Sequence, residues 1–143
     1  MILYLDTSAL VKRYFLEESS GDVIAIWQSA AQVVTSFVAY SETMACIYRK
    51  QREGGLLPDP TSVIVSRFRS DWESFIRVKV NAGLCRHIDR VVEAYPLRGF
   101  DAIHLASALV IHERLPCDFI FACFDERLRH AAASEGLETF PTF

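Results

Sequence analysis

Apolar positions along this chain fall into short dense runs, separated by longer stretches with helical spacing. Ile2-Leu3-Tyr4-Leu5 runs into Asp6 and predicts a buried strand over residues 2–6. Thr7–Glu17 reads as a helix, broken by Ser19-Ser20-Gly21, and Asp22–Gln32 as a second, with Val23, Ile24, Ile26 and Trp27 on its apolar face. Val33–Ser36 is a short strand, and Ser36 then caps a helix reaching about Glu53, where Gly54-Gly55 closes it. Pro58-Asp59-Pro60-Thr61 starts a helix through about Trp72. Phe75–Val80 alternates and is β-rich, so it predicts a third strand. Asn81-Ala82-Gly83 leads into a helix ending near Tyr95-Pro96, and Arg98-Gly99-Phe100 introduces an apolar helix over 101–115 that Pro116 stops. Asp118–Cys123 is a strand, Asp125–Ser134 a helix, and Glu138–Phe140 a short last strand.

Short β-branched strands separated by helices predict an α/β fold: a parallel sheet of four to five strands with helices on both faces. No repeat or low-complexity tract divides the chain, and the stretch from Gly54 to Pro60 is too short to separate domains. One domain spanning residues 1–143 is therefore expected. With 51% hydrophobic residues and a mean hydropathy of +0.18, the chain can build a substantial core and has apolar surface to spare for an oligomer interface.

Charge changes the picture in one respect. The net charge is −3, so any nucleic-acid role must rest on a local basic patch rather than on the whole surface. The four cysteines, Cys46, Cys85, Cys117 and Cys123, show no C-x-x-C zinc spacing. Each has apolar neighbours in sequence, which predicts buried, reduced thiols and a cytoplasmic setting. Ile2–Leu5 is too short for a secretory leader, and no apolar run approaches the roughly 18 residues of a membrane span.

The candidate chemistry lies in four acids. Asp6 and Asp125 follow predicted strands, Asp101 opens a predicted helix, and Glu42 lies inside one. In an open α/β sheet, ligands bind where such strands end. Each Asp also has an ordinary explanation as a helix N-cap. Glu42 does not, because it sits beyond capping range among Phe37, Val38, Ala39, Tyr40 and Met44, which suggests partial burial. Four gathered carboxylates repel one another unless a cation compensates. Lys12, Arg13, Arg98 and His104 are the nearest basic residues, and none stands at a strand end. An all-oxygen donor set selects Mg²⁺ or Mn²⁺, the ions of phosphodiester hydrolysis.

At these residues the chain resembles the PIN-domain nucleases, and among them the VapC toxins of toxin–antitoxin pairs. Met1–Lys12 is similar to the family's opening strand and first acid, and Ser36–Glu42 to its second motif. Leu97–Ala108 resembles the third motif, and Phe121–Leu128 the fourth. The resemblance spans nearly the whole chain. It implies a three-layer α/β/α fold and a Mg²⁺- or Mn²⁺-dependent endoribonuclease with Asp6, Glu42, Asp101 and Asp125 as metal-binding and catalytic acids. It further implies an RNA substrate, a VapB-like antitoxin seated on the helices between residues 37 and 75, and a homodimer. Thr7, Ser8 and Arg98 are candidates for substrate contact, the two hydroxyls also for orienting the site. The family often has Thr or Ser two residues before the last acid, where this chain has Cys123.

His104 lies one turn past Asp101 and could be a general base, but a packed, hydrogen-bonded histidine is the simpler reading. For RNA, Arg49-Lys50-Gln51-Arg52 is the densest basic cluster, and Arg86 and Arg90 share a helix face, where Asp89 or Glu93 could pair with them. Three other functions compete. A phosphoacceptor signalling domain needs a late Lys, but Lys79 is the last in the chain. A haloacid-dehalogenase-type phosphatase needs an Asp two after Asp6, where Ser8 stands. A catalytically silent PIN-like partner-binding module would not need all four acids.

Overall fold

The structure, a computed structural model, describes residues 1–143. Five strands form one sheet: β1 (Ile2–Leu5), β2 (Gln32–Ser36), β3 (Ile76–Val78), β4 (Phe119–Ala122) and β5 (Glu138–Phe140). Their spatial order is β3-β2-β1-β4-β5, and every pairing is parallel. Seven helices surround it: α1 (Thr7–Leu10), α2 (Ser20–Ser29), α3 (Val38–Arg52), α4 (Pro58–Ser74), α5 (Ala82–Ala94), α6 (Gly99–Arg114) and α7 (Glu126–Ser134).

The period of two along a strand divides β1 between two cores. Ile2 and Tyr4 face a core completed by Val91 of α5, Leu105 and Leu109 of α6, and Leu128 of α7. Leu3 and Leu5 face the opposite core, with Leu10 of α1, Ile47 of α3, and Phe68 and Trp72 of α4. This is the expected three-layer α/β/α sandwich. Burial on both faces explains why β1 is apolar without alternation. β1 is central: the chain steps outward to β2 and β3 on one side, then crosses back from β3 to β4 and β5 on the other. The ends of β1 and β4 therefore flank the topological switch point, and Asp6 and Asp125 stand there.

Local differences from the sequence reading have physical causes. The first helix ends at Leu10 and gives way to a 3₁₀ turn, Val11–Arg13, far short of Glu17. The Arg13 guanidinium and Tyr14 hydroxyl reach 2.9 and 2.7 Å to Asp71 on α4, which draws the chain off the helical path. Gln32 belongs to β2 because it pairs with Ile2, a contact invisible to local periodicity. α6 begins at Gly99, so Asp101 is a first-turn residue and not a cap. The thiols also depart from expectation: Cys123 alone is buried, Cys46 is intermediate, and Cys85 and Cys117 are exposed. No helix is long and apolar enough to cross a membrane.

Candidate functional site

Asp6 follows the last residue of β1 in extended conformation and caps α1. Its Oδ1 accepts hydrogen bonds from the Ser8 hydroxyl (2.7 Å) and the Ala9 amide (3.0 Å), and its Oδ2 lies 3.2 Å from the Cys123 thiol. Only 4% of Asp6 is exposed. Burial raises its pKa, opposed by the nearby His104 and by the bonds from Ser8, Ala9 and Cys123. Ser8 also accepts from the Phe124 amide at 2.9 Å, tying the ends of β1 and β4 together. Cys123 fills the place where a hydroxyl was expected and points its thiol at the same carboxylate. Burial, reinforced by Asp6, drives the Cys123 pKa upward, so it remains a thiol and a donor.

Glu42 projects from the second turn of α3. Its Oε1 accepts from the Thr7 hydroxyl at 2.7 Å and from His104 Nε2 at 2.8 Å. A carboxylate only accepts, so this bond requires a hydrogen on Nε2. His104 Nδ1 lies 2.9 Å from the Tyr4 hydroxyl, within hydrogen-bond reach. Burial pushes the Glu42 carboxyl up, but the bond and charge of His104 and the bond from Thr7 outweigh it, leaving the group below its ordinary value. Tyr4 moves the other way: burial and the charges of Asp6 and Glu42 keep its hydroxyl protonated. Buried Tyr4 and His104 thus join half-buried Glu42 and Thr7 in one polar chain across β1, α1, α3 and α6.

Asp101 accepts no hydrogen bond. Partial burial raises its pKa first, and the charges of Asp125, Asp6 and Glu42 raise it further, with His104 opposing. Asp125 caps α7 through Oδ1, which accepts from the Leu128 amide at 2.9 Å, leaving its other oxygen free. Asp101 and Asp125 line a cavity of about 490 Å³ with Arg98, Glu126, Arg127 and His130. A neighbouring cavity of about 630 Å³ adds Glu42 to Asp101, Asp125 and Arg98. Asp6 lines neither and lies behind them, coupled to Asp101 through its charge. Arg98 forms no ion pair with the acids; the 2.8 Å His104–Glu42 contact is the one that joins a basic side chain to them.

The family resemblance implies a divalent ion, and the donors can be tested against one. They are all oxygens, and those of Asp101, the second of Asp125 and the second of Glu42 have no hydrogen-bond partner. No three His, Cys, Asp or Glu side chains converge closely enough to hold an ion among themselves. The donor chemistry, oxygens only, suits a hard cation that keeps several waters and does not suit a structural zinc site.

Sequence reasoning singled out the four acids and named Thr7 and Ser8 as hydroxyls that could orient the site, but it missed Tyr4 and did not connect His104 to Glu42. A buried strand tyrosine requires a partner for its hydroxyl, which was the available signal for Tyr4. His104 is buried and packed as expected, but its partners, Glu42 and Tyr4, lie 62 and 100 residues away. The Thr7 and Ser8 hydroxyls are engaged on Glu42 and Asp6, within the site. Arg90 pairs with Glu135 and not with its own helix, and Arg86 faces a separate pocket.

The PIN-domain family profile matches residues 3–134. The chain is 31% identical over 144 residues to "Ribonuclease VapC49" of Mycobacterium tuberculosis, covering 98% of this chain and 95% of that protein. It is 32% identical over 142 residues to "Ribonuclease VapC35" of the same species, covering 95% and 93%. Among solved structures, FitAcB from Neisseria gonorrhoeae superposes with a TM-score of 0.71 at 17% identity, covering 98% of this chain and 96% of that one. VapBC2 from Rickettsia felis, bound to a DNA fragment from its promoter, has a TM-score of 0.66 at 10% identity and covers 97% of both chains.

Proposed function

The chain belongs to the PIN-domain family, in its VapC branch, and on that premise we propose that it is a Mg²⁺- or Mn²⁺-dependent endoribonuclease toxin acting in the cytoplasm and restrained by a VapB-like antitoxin. The observation that carries this reading is the shared cavity of Glu42, Asp101 and Asp125, with buried Asp6 behind it at the sheet's switch point. Asp6, Glu42, Asp101 and Asp125 would hold the ion. When bound, it supplies Lewis acidity to the scissile phosphate and lowers the pKa of an attacking water.

The protein's own groups prepare that site. His104 and Thr7 keep Glu42 ionised and fixed in direction. Ser8, the Ala9 amide and Cys123 orient Asp6 against its burial. Asp101 and Asp125 face solvent, where RNA arrives, and Arg98 on the same wall offers a planar pair of donors to a phosphate. Thr7 and Ser8 orient the acids in this account and do not contact substrate. Phe37, Tyr48, Leu57 and Val63 are exposed on or beside α3 and α4 and provide the apolar surface for an antitoxin segment. Apolar surface also supports a homodimer.

Induced expression of wild type and Asp6→Asn side by side, with sequencing of RNA ends, tests the reading. Growth arrest and new cuts with wild type alone are expected. Equal harmlessness of both would favour a silent partner-binding module.

A further inference from the structure

A third pocket, of about 370 Å³, opens where the edge strand β3, the start of α5 and the end of α6 meet. It shares no residue with the two cavities that hold the acids. Arg77 and Lys79 enter it from β3 and the residue after it, Arg86 from α5, and Arg114 from the last turn of α6. His87 lines it as well, paired at 3.3 Å with Glu113. Arg77 has a marginal contact, 4.0 Å, with the exposed Glu73. Lys79, Arg86 and Arg114 form no ion pair and no side-chain hydrogen bond. Gly83 in the first turn of α5 also lines the wall, so a helix N-terminus with its free amides adds to the positive field.

Three unpaired cations and a weakly paired Arg77 drawn to one concavity repel one another, and an anion relieves that repulsion. The rest of the molecule needs such a place. The chain is net −3, and the proposed catalytic cavity is itself lined by carboxylates. An RNA approaching that cavity meets like charge, so its affinity must come from phosphate contacts elsewhere. Asp101 and Arg114 sit near opposite ends of α6, about 20 Å apart at 1.5 Å per residue. One phosphate cannot touch both, but a strand of several nucleotides can lie along the α5–α6 pair and reach each. Guanidinium forks suit phosphate oxygens, and three of the four cations are arginines.

We propose that the Arg77, Lys79, Arg86 and Arg114 pocket is a phosphate-binding subsite that holds the RNA backbone away from the scissile bond. This rests on the ribonuclease reading given above. The pocket orients and retains RNA and takes no part in the chemistry.

The test uses full-length Asp101→Asn protein, chosen to prevent cleavage, and a fluorescein-labelled stem-loop RNA followed by anisotropy at several salt concentrations in Mg²⁺. Arg86→Glu/Arg114→Glu is added to that parent, with an exposed pair of equal charge on α4 as control. The control is Arg67→Glu/Arg69→Glu, which lies outside the Arg49–Arg52 run. The milder Arg86→Gln/Arg114→Gln guards against misfolding, which circular dichroism checks. The pocket pair is expected to weaken binding by about tenfold or more and to flatten the salt dependence by roughly one to two phosphate contacts, with the control near the parent. Equal loss from pocket and control pairs would overturn the subsite, as would unchanged RNA binding, including the case in which the pocket pair instead loses an acidic peptide. A parent that binds no RNA at all would overturn the ribonuclease reading, and the subsite with it.

Discussion

At the scale of single residues, the carboxylates of this site are held in unequal states. Glu42 is kept ionised by His104 and Thr7, whereas Asp101 has no donor and feels three other acids. A carboxyl whose folded pKa is raised binds its proton more tightly folded than unfolded. Its contribution is favourable below the ordinary Asp range and is lost as pH climbs from about 4 through the raised value. In EDTA, Asp101→Asn should therefore be more stable than wild type at pH 7, by a few tenths to about 1 kcal/mol because water screens the site. The gain should shrink toward pH 4, and Mg²⁺ should narrow or reverse it. Urea unfolding at both pH values checks this, and a gain larger at acid pH would contradict it. Asp6, Glu42, Asp101 and Asp125 were legible from sequence because each interrupts or ends an apolar run. The resemblance marked the position of Cys123 but not its contact, because nothing local distinguishes a core thiol from one aimed at a carboxylate 117 residues away.

At the scale of elements, the hydrogen-bonded chain Tyr4–His104–Glu42 fastens β1, α6 and α3 at the site. His104→Ala strands the Tyr4 hydroxyl in the core and removes the main restraint on Glu42. The stranded hydroxyl alone should cost about 1–3 kcal/mol in urea unfolding. Mn²⁺ affinity, read by calorimetry, should fall about 10–100-fold, as when other groups that orient metal ligands are removed. Lost stability with unchanged Mn²⁺ affinity would reduce His104 to a packing residue. Element type was readable throughout, and Glu138–Phe140 matched in full, because periodicity and turn residues act locally. Boundaries failed where a distant partner decided them. Gln32 joined β2 through Ile2, and the first helix was cut short as Arg13 and Tyr14 turned to Asp71.

At the scale of the whole molecule, a net acidic chain separates its charges in space. Carboxylates gather at the switch point between β1 and β4, and cations gather at the far end of the α5–α6 pair. The sequence indicated that a local basic patch was needed but not where it lay. The Arg49–Arg52 run was the conspicuous cluster, whereas the pocket assembles from four positions spread between 77 and 114. The measurement that bears most directly on the central claim is cleavage of total RNA by purified wild-type and Asp101→Asn protein, each with Mg²⁺ and with EDTA. Discrete new RNA ends with wild type in Mg²⁺ alone are predicted. Equal cleavage by the variant, or cleavage that persists in EDTA, would contradict a metal-dependent site built on these acids.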